Sequence, residues 1–194
     1  ENFIVKTSGQ KSVSATDVLS VLESIALLNR KVMGISKFAT KANFRLESEK
    51  IEADLSQYIE QYITEVAQDF LLGRIEVTVE NDGKGFFQKF KPIDVSIVID
   101  NLISNAKKAQ ATQVSFKINH PTKDTIHVQV RDNGKGFHPK IVDLSRMFEK
   151  GFTMTDGSGL GLYHVQHVLG EMKGTIEARR EGDSGAVFLM RISK

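Results

Sequence analysis

The sequence predicts an α+β sandwich, in which helices cover one face of a mixed β-sheet, preceded by one long helix. Apolar residues recur at spacings of three and four between residues 18 and 46, as in a long heptad-patterned helix. Further along, strand-like and helical segments are mixed without strict alternation. Turn signals join several strands directly, which favours antiparallel pairs over a doubly wound parallel sheet.

The composition limits the classes of protein that the chain can belong to. Its 194 residues are 40% hydrophobic and 26% charged, which fits one globular domain with an extension. The 26 basic and 24 acidic residues nearly balance, so we expect no nucleic-acid partner. The lack of cysteine excludes disulfides and thiolate chemistry. With no span-length apolar run and no signal peptide, we expect a cytoplasmic protein, or the cytoplasmic part of a larger one.

Residues 1–47 are predicted to form a short arm followed by the long helix. A single helix cannot bury its apolar seam alone, so this helix needs a partner. That partner is either its own domain or a second copy of the chain. The narrow seam and its small alanines favour a homodimer formed through residues 18–46. The seam comprises Val18, Val21, Ile25, Leu28, Val32, Ile35, Ala39, Ala42 and Leu46.

Residues 48–194 are predicted to form the second domain. Strands are predicted at residues 50–55, 74–80, 85–90, 113–118, 125–131, 174–180 and 186–192, and helices at 56–70, 92–109 and 159–172. Residues 81–83 are interpreted as the turn of a hairpin joining the second and third strands, and the last two strands form another hairpin. The loop-rich residues 137–158 are long enough to favour a functional lid.

A polar stripe on the helix at residues 92–109 is the first candidate site. Asn101, Asn105 and Lys108 lie at i, i+4 and i+7, so they share one face of that helix. An asparagine oxygen is a suitable neutral ligand for Mg²⁺, and a lysine can neutralise phosphate charge. Considered alone, the stripe is equally well interpreted as a solvated helix face.

The string DNGKG at residues 132–136 directly follows a predicted strand. An aspartate at a strand end can accept a hydrogen bond from an adenine amino group, and Gly134 and Gly136 let the backbone approach a flat base. Asn-Gly is also the best two-residue hairpin turn, and the similar string DGKG at residues 82–85 is interpreted as an ordinary turn. A strand follows that second string, whereas a long loop follows the first.

The string GSGLGL at residues 157–162 opens the last predicted helix. Backbone N–H groups at a glycine-rich helix start can hold phosphate. The string lacks the Gly-Lys-Ser/Thr ending of a Walker A loop and the glycine spacing of a dinucleotide fingerprint. In this order, the three motifs predict a pocket for a purine nucleotide and its phosphates.

Four motifs together resemble those of the GHKL ATPase superfamily. Residues 101–108 are similar to its N box, 132–136 to its G1 box, 148–152 to its F box and 157–162 to its G2 box. Over roughly residues 49–194, the order, spacing and GSGLGL form most resemble the catalytic ATP-binding domain of bacterial sensor histidine kinases. The resemblance implies a Bergerat fold, a mixed sheet backed by three helices, with ATP between the helices and a flexible lid.

The resemblance also implies roles for individual residues. Asp132 would recognise adenine, and Phe148 and Phe152 would help to fold the lid. Asn105 would hold Mg²⁺, and the catalytic residues would be Asn101, Asn105 and Lys108. The implied ATP-binding residues are Asn101, Asn105, Lys108, Asp132, Gly134, Gly136, Phe137, Gly151, Phe152, Thr153, Gly157, Ser158, Gly159, Leu160, Gly161 and Leu162.

The residue at position 101 bears on the fate of the γ-phosphate. Hydrolytic members of the superfamily carry a glutamate one turn before the Mg²⁺-binding asparagine, and it polarises the attacking water. The equivalent here is Asn101, which takes no proton at neutral pH, and Asp100 points about 100° away around the helix. The resemblance therefore implies a histidine protein kinase that uses ATP and Mg²⁺.

No residue of the chain is identified as the phosphoacceptor. The five histidines are His120, His127, His138, His164 and His167, and none lies in residues 18–46. His120 is expected in a turn, His127 on a strand, and His164 and His167 on the surface. The helix at residues 18–46 therefore resembles the second helix of a dimerisation and phosphotransfer hairpin. We expect the acceptor helix either to lie upstream of Glu1 or to be absent, and a response regulator to be a partner of the full-length protein. The alternatives are a non-catalytic ATP-sensing dimer module, a GHKL ATPase and an anti-sigma-type serine kinase.

Overall fold

The computed structural model describes most of the second predicted domain. The described residues are 50–67, 75–154, 159–180, 182 and 184–194, together with Val18, Val21, Leu22 and Ile25. These last four residues are helical, and Val18, Leu22 and Ile25 expose 41–54% of their surface. The rest of the predicted long helix, and the predicted dimer contact through it, lie outside the described residues. Within the described part of the chain, no helix has the length and apolarity of a membrane span.

Seven strands and three α-helices are present in the described residues. The strands are β1 (Ile51–Asp54), β2 (Glu76–Asn81), β3 (Phe87–Phe90), β4 (Gln113–Thr122), β5 (Thr125–Asp132), β6 (Gly174–Arg179) and β7 (Ala186–Ser193). The helices are α1 (Leu55–Tyr62), α2 (Pro92–Lys108) and α3 (Gly161–Glu171). A π-helical turn (Ile63–Ala67) continues α1, and a 3-10 helix (Leu144–Phe148) lies in the predicted loop.

The main sheet has five strands in the order β2-β4-β5-β7-β6. β2 and β4 are parallel, and the other neighbouring pairs are antiparallel, so the sheet is mixed. Apolar side chains of the sheet and of all three helices form one buried cluster. The predicted α/β sandwich with a mixed sheet and three helices is therefore confirmed.

The predicted hairpin between β2 and β3 is wrong. β2 pairs with β4, so that Val77 lies opposite Val114, whereas β3 forms a separate antiparallel pair with β1. Burial explains the difference, because Phe86, which precedes β3, and Phe90 at its end are almost fully enclosed in the core. The Asp-Gly signal thus marks a change of chain direction, but it does not identify the strand with which the next segment pairs.

The expectation that His120 lies in a turn is also wrong. His120 belongs to β4 and is 5% exposed, next to the register shift of the β4–β5 ladder between Asn119 and Thr122. A proline tolerated at such an irregularity, here Pro121, is a poor guide to where the strand ends. His127 lies half-buried on β5, as predicted.

The remaining histidine predictions concern α3. His164 and His167 are exposed there, which confirms their predicted surface placement. His167 lies 3.5 Å from a carboxylate oxygen of Glu171. No group of three potential metal ligands occurs among the described residues.

Candidate functional site

Helix α2 presents the predicted polar stripe because its opposite face is held in the core. Pro92 occupies the first turn, where backbone N–H groups have no partner within the helix, so its missing N–H costs no hydrogen bond. Its carbonyl accepts a hydrogen bond of 2.8 Å from the Tyr58 hydroxyl. The buried face comprises Val95, Val98, Ile99, Leu102, Ile103 and Ala106. Asn101 and Asn105 are half-buried and Lys108 is exposed, so the stripe borders both protein and solvent.

Asn101 connects the stripe to the start of α3. Its Nδ2 donates a hydrogen bond of 2.9 Å to the carbonyl of Ile97 one turn earlier. This bond leaves Oδ1 facing Gly161, where an added Cβ would lie 2.8 Å from that oxygen. The glycine therefore allows the start of α3 to approach the asparagine closely.

Asn105 carries an unsatisfied polar atom. Its Nδ2 is buried and has no hydrogen-bond partner in the described structure. A buried amide without a partner is costly, and a polar ligand atom would remove that cost. Because a carboxamide offers oxygen on one side and nitrogen on the other, Asn105 fits either a metal ion or a phosphate group. The side chain of Lys108 makes no hydrogen bond or ion pair within the described residues, so its ammonium is available to an anion.

Asp100 faces away from the stripe, as predicted. The Tyr62 hydroxyl donates a hydrogen bond of 3.0 Å to Asp100 Oδ1, so the carboxylate is turned toward α1. Burial of the phenol, followed by the negative charge of Asp100, raises the pKa of Tyr62. The tyrosine therefore remains a hydrogen-bond donor to Asp100 at every physiological pH.

Asp132 ends β5 with a buried carboxylate. The residue is 6% exposed, and its Oδ1 accepts a hydrogen bond of 2.9 Å from the amide of Gly134. Burial raises the pKa of Asp132, although the amides of Gly134 and Ala186 favour the ionised form. An acceptor held in a fixed orientation and largely protected from water suits the recognition of a hydrogen-bond donor such as an amino group.

The loop at residues 132–136 is fixed from two sides. The amide of Lys135 donates a hydrogen bond of 2.8 Å to the carbonyl of Ala109, just beyond α2. The amide of Gly185, which precedes β7, donates one of 2.7 Å to the carbonyl of Gly134. A Cβ on Gly134 would lie 2.7 Å from the Ala109 carbonyl oxygen, so this glycine is required for contact with the protein itself, independently of any ligand.

Asn133 is a structural residue of the site that the sequence did not reveal. Its Oδ1 accepts hydrogen bonds from the amides of Thr112 at 2.8 Å and Gln113 at 2.9 Å, and its Nδ2 donates to the Thr112 hydroxyl. The side chain therefore fixes the loop to the start of β4. Asparagine often bonds nearby backbone amides, but partners about twenty residues away cannot be deduced from that tendency.

Gly151, within the predicted lid, meets Gly159, just beyond its end. The amide of Gly151 donates a hydrogen bond of 3.1 Å to the carbonyl of Gly159, and a Cβ on Gly159 would clash with the backbone of Gly151. Phe148 lies in the core at 4% exposure, and the half-buried Phe152 has the Arg146 guanidinium 5.6 Å from its ring centre. Phe148 therefore holds the lid against the domain, whereas Phe152 contacts Arg146 within the lid itself.

The other predicted ATP-binding residues occupy varied environments. Thr153 and Leu160 are exposed, and Leu162 is half-buried against the core. Gly157 and Ser158 lie outside the described residues. The ring of Phe137 packs edge-on against Phe188, with centres 5.7 Å apart, so its contacts here are with the protein.

These contacts join the four motifs into one continuous arrangement. The G1-like loop meets the end of α2, and the N-box-like stripe meets the start of α3. Gly159, just before α3, meets the F-box-like segment at Gly151. The family model described as "Histidine kinase-, DNA gyrase B-, and HSP90-like ATPase" matches residues 90–194. The chain belongs to this family. It contains an ATP-binding domain of the type that sensor histidine kinases carry.

Similar proteins are sensor kinases. The probable C4-dicarboxylate sensor kinase of Bacillus subtilis (strain 168) is 26% identical over 175 residues, which cover 80% of this chain and 32% of that protein. The chain thus spans about a third of the length of this relative. The catalytic domain of histidine kinase ThkA superposes with a TM-score of 0.63 at 21% identity, covering 75% of this chain and 96% of that one. Full-length ShkA in complex with AMPPNP superposes with a TM-score of 0.61 at 19% identity, covering 95% of this chain and 40% of that one.

Proposed function

We propose that this chain is the ATP-binding catalytic part of a sensor histidine kinase and transfers the γ-phosphoryl group of ATP to a histidine outside this chain. The observation that carries the proposal is the chemistry of the α2 stripe. Asn101, Asn105 and Lys108 offer amides and an ammonium, while Asp100 is bonded to Tyr62 on another face of the helix. A stripe without a carboxylate can orient phosphates but has no base to activate water, which favours transfer over hydrolysis.

Each motif has a binding task in this proposal. The buried Asp132 carboxylate accepts a hydrogen bond from the adenine amino group. Lys108 neutralises phosphate charge, and the carbonyl oxygen of Asn105 holds Mg²⁺. The buried, unpartnered Nδ2 of Asn105 is a donor, so it suits a phosphate oxygen. When bound, Mg²⁺ supplies positive charge that offsets the negative charge on the phosphate oxygens.

The transfer itself requires little covalent chemistry from the protein. A lone pair on the acceptor imidazole nitrogen forms the N–P bond while the bond between the γ-phosphorus and the bridging oxygen breaks. ADP leaves with that electron pair. The residues of the site therefore contribute positioning and charge neutralisation, which dominate catalysis of phosphoryl transfer. The acceptor helix and a response regulator are the protein partners that this activity requires, and a cytoplasmic location would supply the ATP.

The first test measures nucleotide binding by the 194-residue chain. Titration calorimetry with Mg·AMPPNP is expected to show binding that Asn105→Ala weakens by about tenfold, since the variant loses an interaction with a charged ligand. Ser104→Ala is the matched control, because Ser104 is exposed on the neighbouring face of α2. Equal effects of the two substitutions, or no binding by the unmodified chain, would contradict the proposal.

The second test follows the phosphoryl group. The natural protein that contains this chain, incubated with ATP labelled in its γ-phosphate, is expected to acquire acid-labile and alkali-stable label, as phosphohistidine does. The 194-residue chain alone is expected to bind nucleotide without labelling itself. Label on the isolated chain would contradict an acceptor outside it. Loss of ATP hydrolysis in Asp100→Asn would instead support an ATPase.

A further inference from the structure

The side chain of Arg180 bonds to a segment that is about forty residues earlier in the sequence. Arg180 follows β6, and its guanidinium donates hydrogen bonds to three backbone carbonyls. Nη1 donates to Phe137 at 3.0 Å, and Nη2 donates to His138 at 3.3 Å and to Ile141 at 2.6 Å. The same guanidinium lies 5.8 Å from the centre of the Phe137 ring. Such charge-assisted bonds are stronger than those between neutral groups.

The segment held in this way, residues 137–141, follows the loop at residues 132–136 and forms the start of the predicted lid. It forms a turn in which the Ile141 amide donates a hydrogen bond of 3.0 Å to the His138 carbonyl. Arg180 therefore bonds the His138 carbonyl, which closes the turn, and the Ile141 carbonyl at the end of the turn. Ile141 is buried, so the turn also has an apolar anchor.

Arg180 and Gly185 contact the two ends of one continuous segment, residues 134–141. Gly185 donates to the Gly134 carbonyl, and a Cβ on Gly136 would lie 2.7 Å from the Gly185 carbonyl oxygen. Residues on either side of the β6–β7 connection thus contact the chain before and after it leaves the loop that contains Asp132. The proposed adenine-binding loop and the start of the lid are consequently held by residues that flank the β6–β7 connection.

The geometry points to Arg180 as a positioning residue that pre-orders residues 137–141 for nucleotide binding. This inference rests on the proposed function. If the segment is already ordered in the free protein, the nucleotide does not have to supply the free energy of ordering it. Lysine would offer a point charge instead of a planar fork, and it could not bond three carbonyls in the same way.

The test compares Arg180→Gln and Arg180→Lys with a matched control, Arg179→Gln. Arg179 is the adjacent arginine, and it bonds to Glu177 instead of the loop. Hydrogen exchange of the Ile141 amide and the dissociation constant for Mg·AMPPNP are measured on all four proteins. Arg180→Gln is expected to speed this exchange and to weaken nucleotide binding. Each effect should be about tenfold, which corresponds to the loss of one strong hydrogen bond. Arg180→Lys is expected to fall between Arg180→Gln and the unmodified chain.

The dissociation constant separates a purely structural role from coupling to the nucleotide, and linkage adds a second check. If ordering of the segment and nucleotide binding are coupled, saturating Mg·AMPPNP must restore slow exchange of Ile141 in Arg180→Gln. Faster exchange with an unchanged dissociation constant, or equal effects of Arg180→Gln and Arg179→Gln, would overturn the inference while leaving the proposed function intact. Absence of binding by the unmodified chain would overturn the proposed function and this inference with it.

Discussion

The loops at residues 82–85 and 132–136 share the string Gly-Lys-Gly, yet they have different surroundings. In the first, the Asp82 carboxylate accepts hydrogen bonds from the His120 amide at 2.9 Å and the Lys84 amide at 3.1 Å. Its Oδ1 also lies 2.5 Å from His120 Nδ1. In the second, Asp132 is buried and accepts from the Gly134 amide within its own loop. Both oxygens of Asp82 are engaged by the fold, whereas we propose that Asp132 keeps acceptor capacity for a ligand.

The pKa values of the two carboxylates are also shifted in opposite directions. Partial burial of Asp82 is outweighed by its hydrogen bonds with the amide and ring of His120 and the Lys84 amide, which lower its pKa to about 2. For Asp132, burial dominates and raises the pKa. The fold therefore favours the ionised form of Asp82 and opposes the ionised form of Asp132. Opposed ionisation of a buried carboxylate is typical of binding sites.

Glycine substitutions are expected to show the largest difference between the loops. Gly83 and Gly136 both have positive φ, 77° and 70°. A Cβ on Gly83 meets nothing within 4 Å, whereas one on Gly136 lies 2.7 Å from the Gly185 carbonyl oxygen. We expect Gly83→Ala to lower the free energy of unfolding by about 1–2 kcal/mol, and Gly136→Ala by about 3–4 kcal/mol, because backbone overlap adds to the strain.

Urea unfolding followed by circular dichroism measures both variants under the same conditions. Gly170→Ala serves as the control, since Gly170 is exposed on α3 with open space around it, and alanine there is expected to stabilise by up to about 1 kcal/mol. Similar losses for Gly83→Ala and Gly136→Ala would show that the close approach to Gly185 is unimportant.

Substitution of the two aspartates is expected to separate binding from stability. Asp132→Asn should raise the dissociation constant for Mg·AMPPNP by about 10- to 100-fold, because the carboxylate that accepts from adenine becomes a neutral amide. Asp82→Asn should leave that constant unchanged but lower the free energy of unfolding by about 1 kcal/mol, a value reduced by solvent screening of the partly exposed carboxylate. Calorimetry well below both unfolding temperatures measures binding, and equal binding defects in the two variants would contradict the assignment of Asp132.

The sequence was sufficient to predict features that depend on local pattern. Helix α2, the β6–β7 hairpin and the orientation of Asp100 away from the polar stripe follow from periodicity and helix geometry, so they were predicted correctly. The pairing of β3 with β1 depends on which core site encloses Phe86, a non-local property. The same limit applies to the site, where the partners of Asn133 and Arg180 lie about twenty and forty residues away.

Acidification is expected to distinguish the aspartates by the direction of their pKa shifts. Because the pKa of Asp82 is lowered in the folded state, its contribution to stability is complete above the unfolded value, near 3.8, and is lost as the pH falls to about 2. The difference in unfolding free energy between the unmodified chain and Asp82→Asn should therefore shrink from about 1 kcal/mol toward zero over that interval. A difference that persists at pH 2 would exclude the carboxylate as its source.

The raised pKa of Asp132 gives the opposite expectation for binding. Protonation removes the acceptor, so the affinity advantage of the unmodified chain over Asp132→Asn should begin to shrink at a pH above 3.8, the ordinary value for an aspartate. Taking the ratio of the two affinities at each pH cancels the titration of the nucleotide itself. A ratio that stays constant until the pH falls below 3.8 would argue against a buried, ionised Asp132.

The lysines, which make the two strings look most alike, are expected to matter least. Lys84 lies 3.7 Å from Asp82 with 67% of its side chain exposed, and such exposed ion pairs contribute little. Lys135 is exposed, and the atom that holds it to Ala109 is its backbone nitrogen, which any residue except proline supplies. Lys84→Ala and Lys135→Ala should therefore each change the free energy of unfolding by less than about 0.5 kcal/mol in urea titrations. A larger loss in Lys135→Ala alone would mean that the lysine side chain helps to hold the loop, and that the backbone contacts to Ala109 and Gly185 are insufficient to fix Asp132.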